Sequence, residues 1–195
     1  MRPAVFLDRD GTMIDDVGYL SRVEDIRWYP WTIDAIRLLN RAGFLVCVTT
    51  NQAGIAQALL TEAILAELIA DMTRVLDAEG ARIDGWFHCP HHPEGKVASL
   101  RQDCECRKPK PGMIRQAQDR FAIDLSRSFV VGDKLADVGM AARAGAQGIL
   151  VRTGYGEALV RQYGDDVPDA SFVAHDLMGA VAWILERQAR AQEAV

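Results

Sequence analysis

The sequence predicts an α/β fold: a doubly wound parallel sheet of five core strands in the order 3-2-1-4-5. Short apolar runs alternate along the chain with longer segments whose apolar residues recur at helical spacing. The apolar runs are largely uninterrupted, which is typical of strands that are covered by helices on both faces. Strands that alternate with helices predict right-handed crossovers and therefore a parallel sheet.

The first half of the chain predicts three strands and two helices. Gly43 and Gly80 follow helical patterns and are favoured C-terminal caps. Thr61 precedes the second pattern and is a favoured N-terminal cap. The successive elements are a strand at 4–7, a helix at 31–43, a strand at 44–49, a helix at 61–80 and a strand at 85–88.

The second half predicts two more strands and three helices, after a polar stretch with no period of its own. The last helix is the clearest, because Leu177, Val181 and Ile184 fall on one face. The successive elements are a helix at 109–121, a strand at 128–131, a helix at 137–144, a strand at 148–151 and a helix at 176–190.

The composition is that of an ordinary globular protein. Of 195 residues, 49% are hydrophobic and 25% are charged, which fits a single domain over residues 1–195. The net charge of −5 argues against nucleic acid as the main partner. The first strand leaves no room for a secretory signal, and no apolar run reaches the ~20 residues of a membrane helix. We expect a monomeric cytoplasmic protein with no membrane partner, whose cysteines are thiols or metal ligands.

Five polar residues follow strands or begin a helix, and we expect them to meet at one edge of the sheet. Ligands of open parallel sheets bind beyond the carboxyl ends of the strands. Carboxylates there suit Mg²⁺, while a lysine and a hydroxyl can hold phosphoryl oxygens. One carboxylate can also act as a nucleophile and another can transfer protons. The residues are Asp8, Asp10, Thr50, Lys108 and Asp133.

A second set of residues predicts a structural zinc site in residues 89–106, the zinc loop. Three thiolates and one imidazole make a closed tetrahedral ligand set for Zn²⁺. The loop has little apolar material of its own, so a metal would order it. His92 is a rival ligand that the sequence leaves open, and free thiols are the alternative to a metal site. The predicted ligands are Cys89, His91, Cys104 and Cys106.

Four short segments resemble, in order, the motifs of the haloacid dehalogenase-like phosphatases. They are residues 8–12 (DRDGT), 50–52 (TNQ), 107–109 (RKP) and 132–137 (GDKLAD). The resemblance covers residues 4 to about 154. It implies a Mg²⁺-dependent phosphomonoester hydrolase that forms a covalent aspartyl-phosphate.

The resemblance also implies a role for each motif residue. Asp8 would be the nucleophile and Asp10 the general acid and base. The implied Mg²⁺ ligands are Asp8, the backbone carbonyl of Asp10, and Asp133. Thr50 and Lys108 would steady the phosphoryl group. Asp137 would support Lys108 or the water shell of the metal.

The zinc loop narrows the resemblance to the branch that contains heptose bisphosphate phosphatases and histidinol-phosphate phosphatases. Four segments look closer to the heptose enzymes: 16–19, 51–56, 89–93 and 106–109. The implied partner is a small phosphorylated sugar, cut at its 7-phosphate in nucleotide-activated heptose biosynthesis. The implied substrate-binding residues are Asp16, Val17, Gly18, Tyr19, Thr50, Asn51, Gln52, Ala53, Arg107, Lys108 and Lys134.

The sequence leaves two alternative functions open: a histidinol-phosphate phosphatase and an inactive, zinc-stabilised binding module. Arg107 could grip the phosphate that is not cleaved, or it could only cap the zinc loop. The heptose enzymes commonly continue with Arg-Gly where this chain has Gln57-Ala58. The gaps between motifs hold only the loops at 15–29 and 89–106, so we expect an enzyme without a cap domain.

Overall fold

The computed structural model describes residues 1–164 and 166–193, and its centre is a six-stranded parallel sheet. The strands are β1 (Ala4–Leu7), β2 (Leu45–Asn51), β3 (Gly85–Cys89), β4 (Phe129–Gly132), β5 (Gln147–Val151) and β6 (Ala170–Ala174). The helices are α1 (Thr32–Arg41), α2 (Ala53–Ala56), α3 (Glu62–Ala78), α4 (Gly112–Arg120), α5 (Leu135–Ala144), α6 (Gly156–Tyr163) and α7 (Leu177–Glu193).

The strands lie in the order β3-β2-β1-β4-β5-β6, and every named strand pairs in parallel. The first strand is central, since Val5 pairs with Val46 of β2 on one side and with Phe129 of β4 on the other. The strand order reverses between β1 and β4. Ligands of open α/β sheets bind at such a switch point.

Helices cover both faces of the sheet, so the residues of β1 alternate between two cores. Val5 and Leu7 belong to the core under α1, α3 and α7, while Ala4 and Phe6 belong to the core under α4 and α5. All four residues are fully buried. Burial on both sides explains why this strand is an unbroken apolar run.

The prediction of five strands is wrong, because β6 forms a sixth strand at the edge of the sheet. The predicted order 3-2-1-4-5 holds for the other five. Strand β6 contains Ser171, and most of its residues are only partly buried. Helix α6, which precedes it, is eight residues long and buries only Gly156. Neither segment has the long apolar period that predicts an element from sequence.

Several predicted boundaries are confirmed. Helix α3 begins after Thr61, whose hydroxyl accepts a hydrogen bond of 3.2 Å from the Ile64 amide. Gly43 and Gly80 follow α1 and α3 with positive φ angles of 85° and 71°. Within the described residues, no helix has both the length and the apolar character needed to cross a membrane.

Candidate active site and zinc loop

The carboxyl ends of β1 and β4 place two aspartates side by side. Asp8 follows β1 directly, and its amide donates to the Val131 carbonyl of β4 at 2.9 Å. Asp133 follows β4 and is completely buried. Together with Asp137 of α5, these residues form a cluster whose carboxylate oxygens lie within 4.8 Å of one another. Three acidic groups this close repel one another unless cations balance them.

Lys108 is the buried cation that forms direct hydrogen bonds with this cluster. Its Nζ donates to Asp8 Oδ1 at 2.7 Å, to Asp137 Oδ1 at 2.5 Å and to the Thr49 carbonyl at 2.9 Å. Burial by itself would lower the pKa of Lys108, but the carboxylates of Asp137 and Asp8 outweigh it and raise the pKa. The ammonium therefore stays charged inside the protein. Its three donors are all used, which fixes its position.

Asp133 retains one carboxylate oxygen with no hydrogen bond, and the nearest cation is the Lys134 ammonium at 3.9 Å. Its Oδ2 accepts from the Tyr155 amide at 2.8 Å, whereas its Oδ1 is buried without a hydrogen bond. Burial and the nearby charge of Asp8 raise the pKa of Asp133 to about 8. Buried polar atoms normally have a partner. The orphaned oxygen beside Asp8 therefore indicates a place for a cation.

Two glycines enclose Asp133 so closely that no side chain would fit. Gly11 and Gly154 both have positive φ angles, and a Cβ on either residue would overlap the Asp133 carboxylate. The Thr153 hydroxyl donates to the Gly11 carbonyl at 2.6 Å and joins the two turns. This cradle and its hard oxygen donors fit Mg²⁺, which typically takes one or two carboxylates and keeps water and phosphate as its other ligands.

Asp10 lies beside this cluster, and both of its carboxylate oxygens are hydrogen-bonded. Arg9 donates to Oδ1 at 3.0 Å and to Oδ2 at 2.8 Å. The Gln52 amide donates to Oδ2 at 3.1 Å and to the Thr50 hydroxyl at 2.8 Å. Burial raises the pKa of Asp10, the Arg9 charge opposes that effect, and the Asp8 charge adds to it. A carboxyl group with a raised pKa is suited to transferring protons.

A small polar cavity opens next to Asp10. Lys134 lies at its edge, where its Nζ donates to Asp16 at 3.1 Å and lies 4.6 Å from the ring centre of Tyr155. The Asp16 carboxylate also accepts from the Gly18 amide at 2.9 Å. The cavity is lined by Asp10, Asp16, Gly18, Tyr19, Asn51, Gln52, Ala53, Gly54 and Lys134.

Four predicted substrate-binding residues lie outside this cavity. Two of them, Thr50 and Lys108, line a smaller cavity with Asp8 and Asp10. Val17 is 46% exposed and is not among the lining residues. Arg107 lines a separate cavity with Lys110 and Arg143, and its Nη1 donates to the His91 carbonyl at 3.2 Å. The guanidinium of Arg107 is therefore partly engaged in holding the zinc loop.

Asn51 lines the cavity, but its side chain also holds the segment that carries Lys108. The Asn51 Oδ1 accepts from the Lys108 amide at 3.0 Å, and its Nδ2 donates to the Lys108 carbonyl at 3.3 Å. This reciprocal pair connects the end of β2 to Lys108, four residues before α4 begins. Asn51 therefore helps to orient Lys108 towards Asp8.

The predicted zinc ligands converge in the zinc loop. The Sγ atoms of Cys89, Cys104 and Cys106 lie 3.1–3.3 Å from one another. His91 Nδ1 lies 3.3 Å from Cys106 Sγ and 3.9 Å from Cys89 Sγ. His92 is outside the cluster, and its Nδ1 accepts from the Glu94 amide at 3.1 Å.

The donor set of the zinc loop fits zinc. Three sulfur atoms and one imidazole nitrogen face a common point, and this is the ligand set of closed, tetrahedral structural sites. Cys106 lies two residues before Lys108 in the chain. A metal in this loop would therefore restrain the segment that delivers Lys108 to the carboxylates.

Sequence reasoning missed three contributions to the site. The Arg9 side chain, the Gly154 turn and the Tyr155 amide all contact the predicted aspartates. An arginine between two aspartates gives no sign of where its side chain points. The other two contacts come from the backbone, which has no signal in a single sequence beyond the glycine itself.

A parallel sheet with an aspartate at the end of its central strand, a second aspartate two residues later and a buried lysine is the arrangement of the haloacid dehalogenase-like phosphatases. The HAD-hydrolase-like family model matches residues 105–180. A Yersinia pestis relative named D-glycero-beta-D-manno-heptose-1,7-bisphosphate 7-phosphatase is 45% identical over 154 residues, or 78% of this chain and 81% of the relative. An Escherichia coli K12 protein of the same name is 46% identical over 78% of this chain and 80% of its own length.

A solved structure supports the same relationship. The D,D-heptose 1,7-bisphosphate phosphatase of B. bronchiseptica, complexed with magnesium and phosphate, matches with a TM-score of 0.84 and 34% identity. The match covers 96% of this chain and 99% of that chain. The chain therefore belongs to the haloacid dehalogenase-like family of D-glycero-D-manno-heptose-1,7-bisphosphate 7-phosphatases.

Proposed function

We propose that the protein is a Mg²⁺-dependent phosphatase that removes the 7-phosphate of D-glycero-β-D-manno-heptose 1,7-bisphosphate. The observation that carries this proposal is the Asp8 carboxylate, held by Lys108 beside the unpartnered oxygen of Asp133. The choice of this sugar follows from the substrate of the family. The reaction would belong to the synthesis of nucleotide-activated heptose.

Asp8 acts as the nucleophile in the first step. A carboxylate oxygen of Asp8 forms a bond to phosphorus, and the bond between phosphorus and the sugar oxygen breaks. Asp10 gives its proton to the leaving oxygen, so the product is a neutral hydroxyl. The Thr50 hydroxyl holds a phosphoryl oxygen, and the charge of Lys108 steadies the phosphoryl group as negative charge shifts in the transition state.

Water completes the reaction in the second step. Asp10, now ionised, accepts a proton from a water molecule, whose oxygen attacks phosphorus and releases Asp8 and inorganic phosphate. Mg²⁺ bound by Asp8, the Asp10 carbonyl and Asp133 would neutralise phosphoryl charge. General acid and base help of this kind is typically worth ~10²–10⁴-fold in rate.

The polar cavity beside Asp10 is the proposed sugar site. Its lining offers amide, carboxylate and ammonium groups from Asn51, Gln52, Asp16 and Lys134, which suit sugar hydroxyls. Tyr19 adds an aromatic edge. Arg107 is the proposed contact for the phosphate that stays on the sugar, through the guanidinium nitrogens not used by the His91 carbonyl.

Histidinol phosphate is the second candidate substrate, and the residue at position 57 supports it. The cation expected at position 57 is replaced by Gln57, whose amide donates to the Glu94 carbonyl at 3.2 Å. Gln57 therefore brings no positive charge to a second phosphate.

A kinetic comparison tests the proposed substrate. The purified protein with Mg²⁺ is assayed for phosphate release from both anomers of heptose bisphosphate and from histidinol phosphate. We expect the highest kcat/KM for the β anomer, by more than about 100-fold (close to 3 kcal/mol) over histidinol phosphate. A preference for histidinol phosphate would contradict the proposed substrate, and absence of phosphatase activity would favour the binding module.

We further propose that the protein forms one domain over residues 1–195, has no cap domain, is a monomer and lies in the cytoplasm. The capless arrangement is supported by the loops between motifs. Residues 15–29 and 89–106 hold only short turns of 3-10 helix, at Val23–Asp25 and Ala98–Leu100.

A further inference from the structure

Arg9 lies between the two aspartates of the first motif, and its side chain is buried. Only 1% of it is exposed, which is unusual for an arginine. Its Nε and Nη2 pair with the two oxygens of Asp10, while its Nη1 is buried without a partner. Among the described residues, Asp10 is the only carboxylate within salt-bridge distance of Arg9. A desolvated cation needs good pairing to be tolerated, and Asp10 provides it.

The two bonds between Arg9 and Asp10 restrain more than distance. A guanidinium that binds both oxygens of a carboxylate fixes the plane of that carboxylate as well as its position. A single donor, such as an ammonium, would leave the carboxylate free to rotate. Gln52 adds a third bond to Asp10 and also binds Thr50. The plane of the Asp10 carboxylate is thus set relative to the phosphoryl-binding hydroxyl.

We propose that Arg9 is a positioning residue that holds the Asp10 carboxylate in the orientation needed for both proton transfers. This inference rests on the proposed role of Asp10 as general acid and base. Proton transfer requires the donor and acceptor atoms to be within hydrogen-bond reach at a defined angle. Small displacements of a catalytic group cost large factors in rate, on the order of 10²-fold for 1 Å.

A purely structural role for Arg9 predicts a different pattern. If Arg9 only filled space, its loss would lower activity equally for every substrate, and if it acted only through its charge, Arg9→Lys would retain wild-type kinetics. If it positions Asp10, its loss should matter most when the leaving group needs a proton. Phenyl phosphate has a poor leaving group and needs that proton, whereas p-nitrophenyl phosphate has a good one.

The experiment compares kcat/KM for these two esters, because kcat/KM reports the first, phosphoryl-transfer step. The variants are Arg9→Met, Arg9→Lys, Asp10→Asn and the double variant with Arg9→Met and Asp10→Asn. Arg74→Met is the matched control, since the side chain of Arg74 is 69% exposed on α3. Thermal melting is recorded for each variant, and heptose bisphosphate is assayed in parallel.

We expect Arg9→Met to lower kcat/KM for phenyl phosphate by about 10–100-fold and for p-nitrophenyl phosphate by no more than about a tenth as much. In the Asp10→Asn background, the same change should alter kcat/KM by less than about twofold, because its target is already lost. Arg9→Lys keeps the charge and should still show the difference between the two esters. If Arg9→Met does not fold, the comparison of the two esters in Arg9→Lys tests the role of Arg9 instead.

Three results would overturn the inference. The first is an equal loss of kcat/KM for both esters in Arg9→Met. The second is a loss in the double variant that equals the product of the losses in Arg9→Met and Asp10→Asn. The third is wild-type kinetics in Arg9→Lys. Failure of the proposed substrate is a separate outcome. The wild-type protein would then leave heptose bisphosphate intact while the ester pattern of the Arg9 variants persisted.

Discussion

The carboxylate cluster and the zinc loop are two metal sites whose ligands are spaced very differently along the sequence. The zinc donors all lie within residues 89–106, and their three sulfur atoms are 3.1–3.3 Å apart. Two of the carboxylates, Asp8 and Asp133, come from the ends of two strands that only the sheet topology brings together, and Asp137 comes from α5. One site is local in sequence, and the other exists only in the folded chain.

The two sites also differ in how completely the protein satisfies the ion. The zinc loop offers four donors, which is a full tetrahedral set. The carboxylate cluster leaves Asp133 Oδ1 unpartnered and offers too few oxygens to fill six positions. A closed set retains its ion and orders the chain, whereas an open set exchanges its ion and leaves room for phosphate and water.

The largest expected effect is that of Asp8→Asn at the open site. Loss of the nucleophile should lower phosphatase activity by at least about 10⁴-fold. The metal-free protein should unfold at the same temperature or higher, since one of three clustered negative charges is removed. Phosphate release and thermal melting measure the two effects. Asp34→Asn, at an exposed position on α1, is the control, and wild-type activity in Asp8→Asn would exclude this nucleophile.

The second prediction concerns the closed site. Cys104→Ser should lose the bound zinc and about 3 kcal/mol of stability, which lowers the melting temperature by roughly 6–12 °C in a domain of this size. His92→Ala should keep zinc, because His92 lies outside the cluster. Metal analysis and calorimetry of both variants check the ligand set. One zinc per chain in Cys104→Ser would show that the set is wrong.

A third prediction tests the glycine cradle of the open site. Gly154→Ala would place a Cβ against the Asp133 carboxylate, so Mg²⁺ affinity should fall by about 10–100-fold. Gly43 also has a positive φ angle, but a Cβ there meets nothing within 4 Å. Gly43→Ala should therefore cost about 1–2 kcal/mol of backbone strain and leave Mg²⁺ affinity unchanged. Equal Mg²⁺ affinities in the two variants would argue against the cradle.

A fourth prediction concerns the pH dependence of stability without Mg²⁺. Burial raises the pKa of Asp133 from 3.8 to about 8, so the native state binds this proton more tightly than the unfolded chain. The resulting stabilisation is fully present below 3.8 and is lost as the pH rises through about 8. Urea unfolding across this window should show the decline. Asp133→Asn should lack this part of the decline, and an identical slope in that variant would contradict the assignment.

The same contrast explains what could be predicted from the sequence. The zinc ligands were predictable because their spacing alone brings them together. Asp8 and Asp133 were predictable because each follows an apolar strand and parallel strands end at a common edge. Arg9 was not, since neighbouring side chains in an extended segment point apart. The chain leaves β1 after Leu7, and the turn brings Arg9 and Asp10 onto each other.

The sixth strand was missed for a related reason. An edge strand is covered incompletely, so it needs no unbroken apolar run. The segment that forms β6 mixes Ser171 with Phe172 and Val173, and only Ala174 is buried. Its pairing with β5 depends on the five-strand sheet already being present, which no local pattern reveals.

The central claim is that Asp8 carries the phosphoryl group between the two steps, and direct detection tests it. Asp10→Asn should slow the second step, because water lacks its base. This variant is mixed with Mg²⁺ and p-nitrophenyl phosphate, whose leaving group needs little help, and is then quenched in acid and digested. We expect the peptide that contains Asp8 to carry the mass of one phosphoryl group, and the same peptide from Asp8→Asn to carry no added mass. Phosphorylation at another residue, or turnover with no phosphorylated peptide, would contradict it.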